Sequence, residues 1–176
     1  MVVVLTATTK LSILSIAVRK SPLLSNWKKY PEMKYLAYFI SGYLWAKNIN
    51  TYGELEALKR KYEEALTVPD VVGLVIGTRP DCMSDALLHY LEEVKKHTFL
   101  LVEYGIESTN DATLRRINRG HTYQDTVDAV ERTAGCGILT GGHVILGLPG
   151  ERHEDLVAQA STLSRIPLTT LKMHQL

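Results

Sequence analysis

The sequence contains little cysteine and no long apolar run, and its charges nearly cancel. Its 176 residues include two cysteines, Cys82 and Cys136, and two distant thiols make neither a disulfide framework nor a zinc-binding spacing. No apolar run reaches the roughly 18 residues that a membrane-spanning helix needs. Because 20 Lys and Arg stand against 19 Asp and Glu, the net charge of +1 gives no electrostatic reason to expect nucleic acid or a membrane surface as a partner.

The first residues also lack the features of a secretory signal. Residues 1–9 are apolar, but no basic residue precedes them and no cleavage-like site follows them. We therefore expect a cytoplasmic protein.

What is present is the composition of an ordinary globular domain. Hydrophobic residues make up 45% of the chain and charged residues 22%, which argues against disorder and against a coiled coil. The length suits one domain with its own core. It is short for a complete eight-unit β/α barrel, which typically needs about 250 residues.

From residue 30 onward, short apolar runs alternate with amphipathic segments. The predicted strands are residues 34–40, 71–77, 99–107, 138–146 and 170–174. The predicted helices are residues 51–66, 84–97, 111–118, 122–134 and 151–164. Thr51 and Glu54 fit a capping box, and Thr122 and Asp125 occupy cap positions.

This alternation predicts an α/β fold with parallel strands and right-handed crossover helices. Either an open doubly wound sheet or part of a β/α barrel would satisfy the spacing. Residues 1–29 show no clean period, so we divide the chain into an atypical N-terminal segment, 1–29, and a β/α domain, 30–176.

Ligands of such sheets bind at the carboxyl ends of the strands, so the residues that follow each strand are the candidates for a site. After strand 71–77, Arg79 and Asp81 could hold a carboxylate or phosphate of a substrate. The alternative is a local ion pair in a turn shaped by Pro80.

The strand 99–107 carries Glu103, Gly105 and Glu107 on one face. Two carboxylates separated by a glycine suit a ligand that approaches closely and donates from ribose hydroxyls or an amine. An ordinary strand end that emerges into solvent would show the same pattern.

Two further segments could contribute to a site. Arg119 and His121 flank Gly120 at a helix end, where Arg119 could reach a ligand carboxylate, although a cation at a helix C-terminus is the more common interpretation. The glycine-rich run 141–151 could present backbone amides to an adenine or a phosphate. His143 and His174 are expected to be hydrogen-bonded core histidines, since two histidines without a third ligand make a poor metal site.

Four motifs, TRPDC, VEYGIES, RRINRGHT and HVILGLPGE, together resemble the radical S-adenosylmethionine (SAM) superfamily, in particular its YhcC-like group, which is related to the Elongator catalytic subunit. The resemblance covers roughly residues 30–176. It implies a partial β/α barrel with SAM and a [4Fe-4S] cluster at the carboxyl-terminal mouth. In this family, reductive cleavage of SAM yields a 5′-deoxyadenosyl radical that abstracts hydrogen from a substrate.

The resemblance also implies roles for individual residues. The motif that meets the ribose and the methionine part of SAM is matched by Glu103, Gly105, Glu107 and Ser108. Arg119 matches an arginine that pairs with the methionine carboxylate, and the adenine is bordered by Ile145, Gly147, Leu148 and the strand end at His174. Arg79, Asp81 and His143 remain as candidates for substrate binding.

The sequence departs from the family in one large respect, because it has no CxxxCxxC run to hold the cluster. We therefore expect a barrel that is incomplete at both ends, a fragment that holds no metal and is inactive by itself. The alternatives are a non-catalytic SAM-binding or scaffold module, and a β/α enzyme with a phosphate at residues 147–150 and Glu103 as base. An exposed sheet edge could pair two copies of the chain.

Overall fold

The computed structural model describes residues 2–5, 16–19, 51, 53–67 and 71–176. Their strands form one sheet in the order β1-β6-β5-β4-β3-β2. The strands are β1 (Val2–Leu5), β2 (Ile16–Arg19), β3 (Val71–Thr78), β4 (Phe99–Glu107), β5 (Leu139–Leu146) and β6 (Thr170–Gln175). Strands β3 to β6 run parallel, as predicted, and β1 is parallel to β6. Strand β2 is antiparallel to β3, so β1 and β2 form the two edges and the described strands do not close into a barrel.

Helices connect the parallel strands in the predicted alternation. They are α1 (Leu55–Thr67), α2 (Asp85–Val94), α3 (Asp111–Arg116), α4 (Tyr123–Gly135) and α5 (His153–Leu163), with a short 3₁₀ turn at Pro80–Cys82. The Thr122 and Asp125 side chains form a reciprocal capping box at the start of α4. In the described part of the chain, no helix has both the length and the apolarity that a membrane span requires.

The hydrophobic core lies on one face of the sheet. Alternate residues of β4 point to it, including Val102, Tyr104 and Ile106, all fully buried. Helices α1, α2, α4 and α5 cover this face with apolar side chains such as Tyr62 and Leu91. Burial of a large apolar side chain contributes about 1.5–3 kcal/mol, so the contacts on this face hold the sheet and the helices together. Polar side chains, including Glu103, lie on the opposite face. We call that opposite face the inner face.

The start of α1 differs from the sequence expectation. The helix begins at Leu55, and the Leu58 amide donates to the Glu54 carbonyl at 3.1 Å. The predicted capping box of Thr51 with Glu54 is wrong, because the Thr51 hydroxyl is buried against the end of β3, with its Oγ1 2.6 Å from Thr78 Oγ1. A long-range partner thus replaces the local one that the spacing suggested.

Other expectations for the first part of the chain are not decided. The predicted strand 34–40 lies outside the described residues. Two strands of the segment 1–29, β1 and β2, join the sheet, and the division at residue 30 stays a prediction. Pairing of two copies through a sheet edge also stays a prediction.

Candidate functional site

The parallel strands β3 to β6 end at one edge of the sheet, which we call the carboxyl edge. Arg79 follows β3, Ser108 follows β4, Gly147 follows β5, and Leu176 follows β6. Most of the site residues expected from the sequence therefore lie at this edge or on the inner face beside it.

An ion pair between Glu107 and Arg119 occupies the carboxyl edge. Arg119 Nη2 lies 3.2 Å from Glu107 Oε1 and donates to the Gly105 carbonyl at 3.0 Å. The side chain of Glu107 is 4% exposed and that of Arg119 20%. A Cβ on residue 105 would lie 2.8 Å from Glu107 Oε1 and 3.0 Å from Arg119 Nη2, so the pair depends on a glycine at this position. The Arg119 amide caps the end of α3 by donating to the Leu114 carbonyl at 2.9 Å, whereas its side chain points away from the helix toward β4.

The backbone of β4 is irregular where Glu107 enters this pair. Glu107 has a φ of 64°, in the left-handed region that non-glycine residues rarely adopt, and the register with β5 shifts between Gly105 and Glu107. This local turn directs the carboxylate toward the Arg119 guanidinium. A strand pattern in the sequence does not reveal such a bulge.

Two buried polar atoms of this pair are left without partners. Glu107 Oε2, an acceptor, and Arg119 Nε, a donor, have no hydrogen-bond partner among the described residues. Burial raises the pKa of Glu107, although Arg119 and, to a smaller extent, His143 oppose this. An unpaired buried polar atom is costly, so the pair is suited to a ligand that carries both a hydroxyl and a carboxylate.

Ser108 links the end of β4 to the loop after β5. It is fully buried, donates through Oγ to Glu151 Oε1, and accepts from the Asn110 amide at 3.1 Å. Glu151 keeps a second buried oxygen, Oε2, without a partner among the described residues. Glu151 was not a candidate from the sequence. Only its contact with Ser108, 43 residues away, indicates that it belongs to the site.

The loop after β5 combines exposed glycines with buried apolar side chains. Gly147 and Gly150 have φ values of 84° and 83°, which favour glycine. Ile145, near the end of β5, is 7% exposed, and Leu148, in the loop itself, is 4% exposed. Arg116 holds the loop, since its Nη1 donates to the Pro149 carbonyl at 2.7 Å.

A second polar cluster lies on the inner face, and we call it the inner-face array: Lys172, Glu103, His143 and His174. Lys172 Nζ lies 2.8 Å from Glu103 Oε1 and 3.0 Å from Oε2. His143 Nε2 lies 3.2 Å from Glu103 Oε2, and His143 Nδ1 lies 3.0 Å from His174 Nε2. Burial alone would raise the pKa of Glu103, but its contacts with His143 and Lys172 lower it overall.

The array differs from the sequence expectation in two ways. Lys172 was not a candidate, although it stands two residues before His174 in a strand and so shares its face. His143 is hydrogen-bonded as expected, but its side chain is 28% exposed on the inner face rather than in the core. The glycine at 141 makes room for the array, because a Cβ there would lie 3.0 Å from Glu103 Cγ.

Arg79 and Asp81 form the local ion pair that was the alternative interpretation of their motif. Arg79 Nε donates to Asp81 Oδ1 at 2.9 Å, and Nη2 donates to Asp81 Oδ2. Burial would raise the pKa of Asp81, but Arg79 lowers it overall. Gly120 packs against this guanidinium, since a Cβ there would lie 2.9 Å from Arg79 Nη2. Substrate binding by Arg79 and Asp81 stays a prediction.

The cysteines do not come together. Cys82 follows β3 at the carboxyl edge, whereas Cys136 precedes β5 at the amino-terminal ends of the strands, and neither is part of a disulfide. Within residues 2–5, 16–19, 51, 53–67 and 71–176, no three His, Cys, Asp or Glu side chains are grouped so that they could hold a metal ion.

Comparison with protein families gives the family of the chain. The profile of the radical SAM superfamily matches residues 46–161. The chain belongs to the radical SAM superfamily.

Relatives agree with this assignment. The chain is 34% identical over 149 residues to YtqA, an uncharacterized protein of Bacillus subtilis. The aligned region covers 85% of this chain and 44% of the relative. It is 33% identical over 144 residues to YhcC of Escherichia coli, covering 81% and 45%. The radical SAM chain thus spans less than half the length of these relatives.

Solved structures confirm the fold. The archaeal Elp3 of Methanocaldococcus infernus, with its N-terminus deleted, superimposes with a TM-score of 0.61 at 21% identity over 99% of this chain and 46% of that one. The coproporphyrinogen III oxidase HemN of Escherichia coli, a radical SAM enzyme, superimposes with a TM-score of 0.59 at 17% identity over 71% of this chain and 29% of that one. The sheet with its outer helices is therefore a partial β/α barrel of the radical SAM type.

Proposed function

We propose that this radical SAM domain binds SAM at the carboxyl edge, with Glu107 and Arg119 as its main polar contacts. The observation that supports this most directly is the adjacent pair of buried atoms without partners, one acceptor and one donor. SAM carries ribose hydroxyls that can donate to Glu107 Oε2 and a methionine carboxylate that can accept from Arg119 Nε. An apolar ligand would satisfy neither atom.

The other residues of the edge have supporting roles in this proposal. Ile145 and Leu148 are buried side chains at the end of β5 and offer an apolar surface to the adenine, while Gly147 leaves the backbone accessible beside them. Ser108 positions the loop through Glu151. When bound, SAM supplies the 5′-deoxyadenosyl group for the radical chemistry of the superfamily, and the protein side chains hold and orient it.

We also propose that this chain by itself holds no [4Fe-4S] cluster and does not cleave SAM. An iron–sulfur cluster needs several thiolate ligands close together. Cys82 lies at the carboxyl ends of the strands and Cys136 at their amino-terminal ends, so the two cysteines do not fit this requirement. Anaerobic reconstitution of the purified chain with iron and sulfide, followed by assay for 5′-deoxyadenosine, tests this, and clear turnover would contradict it.

Titration calorimetry with SAM tests the binding proposal. Arg119→Lys keeps the positive charge but removes Nε and the planar fork, so we expect affinity to fall at least about tenfold, the usual effect of losing one hydrogen bond to a charged group. Arg132→Lys is the matched control, since Arg132 pairs with Asp85 on the helical side of the domain. If the wild type gives no binding heat, or both variants bind equally, SAM is not held in this way, and the first result would favour a scaffold module.

A further inference from the structure

The inner-face array is not used by the proposed SAM contacts. Both Glu103 oxygens are already engaged by Lys172 and His143, whereas Glu107, four residues later, holds the unpartnered oxygen. The array crosses from β4 through β5 to β6 and ends at His174, close to the carboxyl edge where β6 ends at Gln175. It therefore connects a buried carboxylate with the rim of the site.

The contacts determine which nitrogen of each histidine carries a proton. Lys172 keeps Glu103 ionised, and a carboxylate can only accept hydrogen bonds, so the proton of neutral His143 lies on Nε2. His143 Nδ1 is then an acceptor, and His174 must donate to it from Nε2 across 3.0 Å. Neutral His174 is left with a bare lone pair on Nδ1, an atom to which no described residue is hydrogen-bonded.

We propose that His174 is a general base that accepts a proton through Nδ1 from the ligand at the carboxyl edge, with Glu103 and His143 as its positioning residues. An N–H bond of a ligand ammonium breaks, the electron pair stays on the nitrogen as a free amine, and the proton forms the Nδ1–H bond of an imidazolium. The imidazolium then donates from Nε2 to His143. This inference rests on the proposed function only in assuming that a ligand occupies the edge.

The charged surroundings favour a neutral, proton-accepting His174. Burial lowers its pKa, the neighbouring His143 and Lys172 lower it further, and Glu103 opposes them. Strand β1, which pairs with β6 on the other side, consists of Val2–Leu5 and adds no titratable group. At neutral pH the ring is therefore uncharged and able to accept a proton.

Nitrogen NMR of the ¹⁵N-labelled chain measures the tautomers directly. We expect wild-type His174 to show an unprotonated Nδ1 and a protonated Nε2. In Glu103→Gln the new amide can donate to His143 Nε2, so we expect both histidines to change tautomer, which loss of a merely structural contact would not cause. If Glu103→Gln does not fold, the wild-type tautomers decide the question by themselves. A protonated Nδ1 on wild-type His174, or no change of tautomer in folded Glu103→Gln, would overturn the proposal.

Acylation by diethyl pyrocarbonate measures whether the lone pair is accessible. The reference is His89, whose side chain is 79% exposed. Mass spectrometry should find His174 acylated at a rate within about tenfold of His89, and saturating SAM should slow only His174. An unreactive His174, or a His174 that SAM does not protect although calorimetry shows SAM binding, would refute its role as the base. Failure of SAM to bind would instead refute the proposed function. The proposal for His174 would then be tested by the NMR measurement of the tautomers.

Discussion

The buried ion pair of Lys172 with Glu103 provides a sharp test of how the inner face is stabilised. The two side chains are 10% and 7% exposed, and the ammonium contacts both carboxylate oxygens within 3.0 Å. Glu103→Gln keeps the shape but leaves Lys172 buried opposite a neutral amide. Removing one partner of a buried pair typically costs about 3–5 kcal/mol, a large part of the 5–15 kcal/mol that stabilises most domains.

Urea unfolding followed by circular dichroism at pH 7 measures this cost. The matched control is Glu93→Gln, because Glu93 pairs with Lys96 on the surface, where both side chains are more than half exposed and the pair should contribute nothing measurable. The double variant Glu103→Gln with Lys172→Met should recover most of the loss, since no unpaired charge remains buried. If Glu103→Gln costs no more than Glu93→Gln, the reasoning about this pair is wrong.

The same pair predicts how stability changes in acid. The pKa of Glu103 is lower in the folded protein than its usual value of 4.5, so its contribution is complete above that value and is lost as the pH falls through the folded pKa. The wild type should therefore lose more stability below pH 4.5 than Glu103→Gln does. Equal slopes of unfolding free energy against pH for the two proteins would contradict this.

Two other substitutions should change stability in measurable ways. Burial raises the pKa of Glu107, so ionising it costs stability as the pH rises above 4.5. Glu107→Gln should therefore lose less stability than the wild type between pH 4.5 and about 7, and it should weaken SAM binding in calorimetry; equal pH dependence with unchanged affinity would contradict this. Gly73→Ala should destabilise the domain by about 1–3 kcal/mol or more in urea unfolding, because the new Cβ would overlap the Phe99 carbonyl of β4. Gly135→Ala is the control and should cost little, since a Cβ there would meet open space.

The sequence predicted the regular elements well and their irregular ends less well. The predicted strand 99–107 has the same bounds in the structure, and the cap at Thr122 is confirmed. Both depend on neighbours in sequence, through the period of burial and the reach of a short side chain. The expected cap at Thr51 failed because a hydroxyl can bond to any nearby acceptor, and the fold placed Thr78 there.

The candidate site shows the same division. The alternation of β4 puts Glu103 and Glu107 on one face, and the sequence could treat them only as equivalent carboxylates. Packing makes them different: Glu103 is paired with Lys172 and has a lowered pKa, whereas Glu107 sits at a backbone bulge with an oxygen unpartnered and a raised pKa. Packing also decides the role of Arg119. The sequence placed it at a helix end, and in the fold its guanidinium donates to the Gly105 carbonyl of β4.

The amino-acid sequence by itself determined the order of strands and helices from residue 71 onward, the family and the edge of the sheet at which the candidate site residues gather, because periodic burial and short motifs are local properties of the chain. Tertiary structure alone decided which charges meet. Lys172 and Glu103 are 69 residues apart, and His143 and His174 are 31 apart. Such pairs form only when parallel strands come into register, and it is this register that sets the ionisation of each group and leaves particular buried atoms available to a ligand.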